Sequence, residues 1–231
     1  MSIAIIQFGG SNCDLDVLHV LQDVVGIDAE LVWYKEEDLD RFEGIVVPGG
    51  FSYGDYLRAG AIAARTPVMN SIKKLAYTGK PIIGICNGFQ VLAESGLLNG
   101  ALTTNEYPKF RCESKLLRVE TKDTPFTSKF KKGDIISVPI AHMEGNFYAD
   151  EVTLTMLNNN GQVVFRYVDV NRKATDEANP NGSQENIAGI VNAKKNVLGM
   201  MPHPERASED VLGSKDGSKI FESMAEFISQ S

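Results

Sequence analysis

The sequence predicts an α/β fold, a mostly parallel central sheet flanked by helices, with an additional antiparallel strand segment. Three observations carry this. Short continuous apolar runs alternate with stretches of helical periodicity through the first hundred residues, the texture of βαβ units. Three of those runs lead into glycine-rich turns, at Gly9-Gly10, Gly49-Gly50 and Gly84-Ile85-Cys86-Asn87-Gly88. The second half instead shows strand-like segments joined by turns, without clear helices between them. The 231 residues are 43% hydrophobic, and no linker divides them, so residues 1–231 read as a single domain.

In chain order, Ile3–Phe8 is a strand apolar on both faces. Leu15, Leu18, Leu21 and Val25 fall on helical spacing from Asp14 to Val25, and Gly26 closes that helix. Ala29–Tyr34 and Gly44–Pro48 are the next strands. Ala59–Lys74 is helix-rich, and Pro67 must break or begin a helix within it. Pro81–Ile85 is the fourth strand and Phe89–Ser95 a helix. Residues 111–120, 134–140, 152–158 and 162–168 read as strands. The alternation in Thr153–Leu157 and the turn signal Asn158-Asn159-Asn160-Gly161 predict an antiparallel hairpin at a sheet edge. Asn171–Asn186 reads as a long exposed loop, often a functional feature. Ile187–Val191 and Asn196–Met201 return to strand texture, and Ile220, Phe221, Met224, Phe227 and Ile228 define one face of a last helix.

Composition narrows the function classes. Lys and Arg total 23 against 30 Asp and Glu, a formal charge of -7 that disfavours broad nucleic-acid binding. Three cysteines, an odd number, argue for a reducing compartment rather than a disulfide framework. The N-terminus lacks signal-peptide character, and no stretch approaches the roughly 20 apolar residues of a spanning helix. The expectation is a cytoplasmic protein with no membrane partner.

The chemistry centres on Cys86. A buried strand that turns sharply into a helix presents one side chain at its apex, the arrangement of a nucleophile elbow. Glycines on either side let the chain fold back, and the helix start favours a thiolate. The bland reading is a small buried thiol between packing glycines. His203 and Glu205, in Pro202-His203-Pro204-Glu205, follow another apolar strand and supply a base and a group to orient it. Alone they would read as a surface pair; with an elbow cysteine in the same chain the functional reading gains. His19, in a helix, and His142, in a loop after a strand, compete less well. Acyl chemistry at Cys86 also needs oxyanion donors, for which the N–H after the nucleophile and the Gly49-Gly50 loop are candidates.

Pro48-Gly49-Gly50, Gly84-x-Cys86-x-Gly88-x-Gln90 and His203-Pro204-Glu205 together resemble class I (triad) glutamine amidotransferases along nearly the whole chain. The glutaminase subunits of phosphoribosylformylglycinamidine synthases are the most similar subfamily. That resemblance rests on Gly49–Gly60, Gly84–Gln90, Asn179–Ser183 with Asn186–Ile190, and Gly199–Arg206. It implies a flavodoxin-like amidotransferase fold. Cys86 would attack the glutamine amide, His203 would protonate the departing ammonia, and Glu205 would orient His203. The N–H groups of Gly50 and Asn87 would hold the oxyanion. Gly49, Phe51, Gln90, His142 and Glu144 would contact or line the glutamine pocket. Met143 departs from the glycine expected in the family's His-Gly-Glu-Gly loop. The resemblance also implies partners: a larger synthetase subunit (PurL), which uses ATP and Mg, and a small subunit (PurS). No cofactor or metal is expected in this chain, which shows no phosphate-binding loop motif. Residues 109–132 carry eight basic residues against three acidic ones, a candidate docking face or simply a solvated one. Two readings stand against the amidotransferase subunit. One is a self-contained cysteine hydrolase. The other is a binding module with a dead site, which intact Cys86, His203 and Glu205 argue against.

Overall fold

Apolar runs with no polar position become strands covered on both faces, and they order this chain. The computed structural model describes residues 2–230. One nine-stranded sheet runs through it in the order β2-β1-β3-β4-β11-β10-β9-β6-β7. Its parallel half comprises β1 (Ser2–Gln7), β2 (Asp28–Trp33), β3 (Gly44–Val47), β4 (Ile82–Ile85) and β11 (Val197–Met200). The remainder is antiparallel: β6 (Arg111–Val119), β7 (Ile135–His142), β9 (Val163–Val168) and β10 (Ile187–Val191). A separate two-stranded sheet pairs β5 (Ala101–Thr103) with β8 (Asn146–Tyr148), two short segments that the sequence pattern does not announce.

The helices follow the local signals. α1 (Asp14–His19) continues as a π-helical turn to Val25, and Gly26 closes it at φ +77°. α2 (Val68–Thr78) starts only after Pro67. The expected helix over Ala59–Lys74 is therefore shorter, because proline offers no N–H to extend a helix through it. α3 (Asn87–Glu94) follows β4 directly, and α5 (Ser218–Gln230) buries Ile220, Phe221, Met224 and Ile228. Among the described residues no helix is long and apolar enough to cross a membrane.

Two expectations are corrected. Residues 152–158 are not a strand but lie in α4 (Glu151–Asn159). The side chain of Asp150 accepts the Thr153 N–H at 2.7 Å and caps the helix, and Leu154 and Leu157 lie one turn apart with Leu157 buried. The short alternation of Thr153–Leu157 fits both periods, and the cap decides. Asn158–Gly161 then ends a helix rather than making a hairpin, and the hairpin at the sheet edge is β6–β7. The loop before β10 is not uniformly exposed: Asn181, Ser183 and Asn186 are buried and hydrogen-bonded.

The fold places β4 between β3 and β11, with Gly84 in register with Val47 on one side and Gly199 on the other. α3 rests on these three strands. A Cβ on Gly88 would lie 1.9 Å from the Val47 carbonyl oxygen, and one on Gly84 would lie 2.6 Å from the Gly88 oxygen. Neither backbone can yield without separating helix from sheet. Gly88→Ala is therefore expected to cost at least the roughly 1–3 kcal/mol of core overpacking. A lowered thermal midpoint with loss of Cys86 reactivity is the expected outcome; a parental melting curve would refute the close packing.

Candidate active site

Cys86 stands at the C-terminal end of β4 with φ +51° and ψ −107°. A non-glycine residue held there stores about 1–3 kcal/mol of strain, which the surrounding packing maintains. The strain turns the chain straight into α3. The thiol is 5% exposed and lies 3.6 Å from the Ala141 carbonyl oxygen.

His203 reaches the same strand edge from β11. Its N–H donates to the Pro139 carbonyl at 2.8 Å, tying it to β7. Pro204 opens a short 3-10 turn, Pro204–Arg206, which brings Glu205 back toward the ring. His203 Nδ1 and Glu205 Oε1 are 2.6 Å apart, and both side chains are buried. Nε2 is buried with no hydrogen-bond partner among the described residues. Burial alone would lower this imidazole's pKa. The negative Glu205, then Cys86 and Cys13, outweigh it and hold the pKa well above the ordinary histidine value. A carboxylate on Nδ1 leaves Nε2 as the atom that exchanges a proton with the thiol.

Two further N–H groups are available beside Cys86. That of Asn87, in the first turn of α3, has no acceptor among the described residues, nor has that of Gly50. Gly50 has φ +152°, and a Cβ there would lie 2.6 Å from the Gly10 oxygen, so only glycine fits. Gly49 does not line the cavity as expected. It lies under His203, where a Cβ would meet the ring Cε1 at 2.8 Å, and its carbonyl accepts the N–H groups of Asn12 and Cys13.

A cavity of about 280 Å³ opens over Cys86, lined by Gly50, Phe51, Gly54, Asp55, Gln90, Ala141, His142, Met143 and Glu144 as well as the cysteine. A larger hollow of about 340 Å³, lined by Lys73, Tyr77, Met156 and Lys194 among others, contains none of the candidate residues. Gln90 Nε2 donates to the Glu144 carbonyl at 2.5 Å, locking α3 to the 141–145 segment. His142 is buried and pushed down to about 4, by burial first and then by His203, so its imidazole is neutral near pH 7. Met143 is 45% exposed at the rim with an ordinary negative φ, so the loop holds its shape without glycine there.

The family model for the CobB/CobQ-like glutamine amidotransferase domain matches residues 1–228. The chain belongs to that family. This amidotransferase is 74% identical to the phosphoribosylformylglycinamidine synthase subunit PurQ of Methanosarcina acetivorans, over 100% of this chain and 99% of the relative. It is 52% identical to the PurQ of Methanocaldococcus jannaschii, over 98% of each chain. A chain in the structure of PurLQS from Thermotoga maritima superposes with a TM-score of 0.86 at 45% identity, over 98% of each chain.

Sequence reasoning passed over two residues of this amidotransferase site. Cys13, in the loop after β1, sits 3.8 Å from His203 Nδ1 and 3.2 Å from Arg206 Nη2, and burial raises its thiol pKa. Its position after Gly9-Gly10, on the same sheet edge, was the available signal. Ligand atoms of Cys13, His203 and Glu205 lie within 4.8 Å of one another, a donor set a zinc ion could use. The Arg206 guanidinium against the sulfur opposes a cation there. His19 is exposed, bonded to Asp23 and Glu209, and takes no part. In the basic stretch, Arg111, Lys115, Arg118 and Lys129 form ion pairs with Glu113, Glu120 and Glu226.

Asp55 is the second residue passed over. It sits in a left-handed backbone (φ +52°) in the cavity wall. Burial, and then the Glu144 carboxylate, push it up to about 6, against the pull of the Gly60 N–H and the Asn87 amide. A carboxyl whose folded pKa is raised favours the folded state at low pH and loses that contribution as pH rises through about 6. Asp55→Asn removes the ionised form's cost. Its thermal midpoint should match the parent near pH 4 and exceed it at pH 7.5; a pH-independent difference would show an unperturbed carboxyl.

Proposed function

We propose that this chain is the glutaminase subunit of a phosphoribosylformylglycinamidine synthase, acting as one amidotransferase domain over its whole length. The reading is supported by Cys86, which lines the cavity, lying within electrostatic reach of the buried His203–Glu205 pair. The PurQ relatives at 52–74% identity supply the substrate class.

The steps follow from the geometry. Cys86 gives its proton to His203 Nε2, and the sulfur attacks the side-chain amide carbon of glutamine. The N–H groups of Gly50 and Asn87 meet the oxyanion; a single such donor is worth about 2.7–4 kcal/mol where one has been removed. The imidazolium, stabilised by Glu205, gives its proton to the departing nitrogen. Ammonia leaves and a γ-glutamyl thioester remains. Water, deprotonated by His203, attacks the thioester, and glutamate leaves as the thiol is restored. Phe51, Gln90, His142 and Glu144 shape the pocket around the substrate, and Gly49 makes room for the His203 ring.

Ammonia passes to a PurL-type synthetase subunit, where ATP and Mg drive conversion of formylglycinamide ribonucleotide to its amidine. A PurS-type subunit completes the assembly, in the cytoplasm, and neither nucleic acid nor membrane takes part. The likeness to a chain of PurLQS supports this division of labour. The three free cysteines fit a reducing compartment.

The test is an amidine-forming assay on the reconstituted complex. Cys86→Ala should abolish glutamine-dependent turnover, by at least ~10³-fold, while added ammonia still supports the synthetase. Glu205→Gln should lower the glutamine-dependent rate and leave the ammonia-dependent one unchanged. Loss of both activities in Cys86→Ala would contradict the proposed division.

A further inference from the structure

The triad accounts for the amide end of glutamine and leaves its other end, an α-ammonium and an α-carboxylate, without assigned contacts. The charged side chains lining the cavity are both acidic, Asp55 from the 51–60 loop and Glu144 from the segment after β7. Both are held in place. Asp55 Oδ1 accepts from Asn87 Nδ2 at 3.3 Å and Glu144 Oε2 from the Ala59 N–H at 3.4 Å. Asn87 Nδ2 also donates to Gln90 Oε1 at 2.8 Å, and Gln90 in turn donates to the Glu144 carbonyl. The two carboxylates therefore belong to one frame built on the first turn of α3. Glu144 lies close enough to raise the Asp55 carboxyl's pKa, and two acidic side chains so placed favour a cation between them.

A third acceptor comes from a different source. His142 is 3% exposed and lines the same cavity. Its Nδ1 meets Asn105 Oδ1 at 3.2 Å, an oxygen that also accepts the Gly145 N–H. Nδ1 therefore carries the ring proton, and Nε2 is a bare acceptor, buried with no partner among the described residues. An ammonium group has three N–H donors; the cavity wall offers it the carboxylates of Asp55 and Glu144, and His142 Nε2 lies closed off within that wall.

We infer that Asp55, with Glu144, forms the seat for the substrate's α-ammonium group, and that Asp55 makes the pocket selective for amides that carry this charge. The inference rests on the glutaminase reading above. The same seat rejects amides without a positive group, because their entry leaves two carboxylates desolvated and unpaired.

The test compares glutamine with glutaramate, the same amide without the α-ammonium, by ammonia release from the assembled complex. The parent should favour glutamine strongly. Asp55→Asn should lower the ratio of the two kcat/KM values by roughly 10- to 100-fold, the scale of one charge-assisted hydrogen bond, through loss on glutamine. Glu144→Gln, on a separate segment, should shift the ratio the same way and serves where Asp55→Asn fails to fold. Asp55→Glu should recover part of it. If Asp55 only braced Asn87, both substrates would suffer alike; an unchanged ratio in both Asn and Gln variants overturns the ammonium seat and leaves the glutaminase reading standing. A parent complex that releases no ammonia from glutamine, or a Cys86→Ala complex that still does, overturns both.

Discussion

Everything at this site depends on how closely α3 lies against β3 and β4. The helix can start one residue after the nucleophile only because two positions have no Cβ. That contact forces Cys86 into its left-handed backbone and presents the Asn87 N–H beside the sulfur. It also brings Asn87 and Gln90 within reach of the 51–60 loop and the 141–145 segment. A helix seated even 2 Å higher would keep every side chain in the sequence and lose the constellation. The strain at Cys86 is offset by apolar burial among β3, β4, β11 and α3, where Val47, Ile85, Phe89, Val91, Leu92 and Met200 are almost fully buried.

Electrostatics then separates two histidines of similar burial. His203 faces a carboxylate at 2.6 Å and is held protonated more readily than a free imidazole. His142 faces an amide oxygen and another histidine, and stays neutral. With burial similar, neighbour identity thus separates one readily protonated imidazole from one that stays a neutral acceptor.

Much of this was legible in the sequence. Continuous apolar runs and the glycines after them located the parallel strands and the edge on which Cys86, His203 and Gly50 converge. Cys86, His203 and Glu205 could be expected near one another because they follow strand ends, where backbone direction alone sets position. Other features were not legible for physical reasons. Thr153–Leu157 satisfies both helical and strand periods over five residues, and only the local Asp150 cap, three residues before Thr153, separates them. Asp55 and Cys13 act through neighbours distant in sequence, Glu144 in one case and His203 with Arg206 in the other, so no spacing rule marks them. The burial of Asn181, Ser183 and Asn186 likewise follows from what the chain packs against, not from their polarity.

The outermost strand of the sheet carries more than an edge. β7 ends the strand order, yet its Pro139 carbonyl anchors the His203 backbone and its Ala141 carbonyl faces the Cys86 sulfur. Edge strands open to solvent at lower free energy than central ones. Cys86 follows a central, fully buried strand, and the wall that completes its surroundings rests on an edge strand whose positions alternate between buried and half-buried. The surroundings of the thiol thereby depend on the edge hairpin keeping its register, at Pro139 for the His203 backbone and at Ala141 for the sulfur.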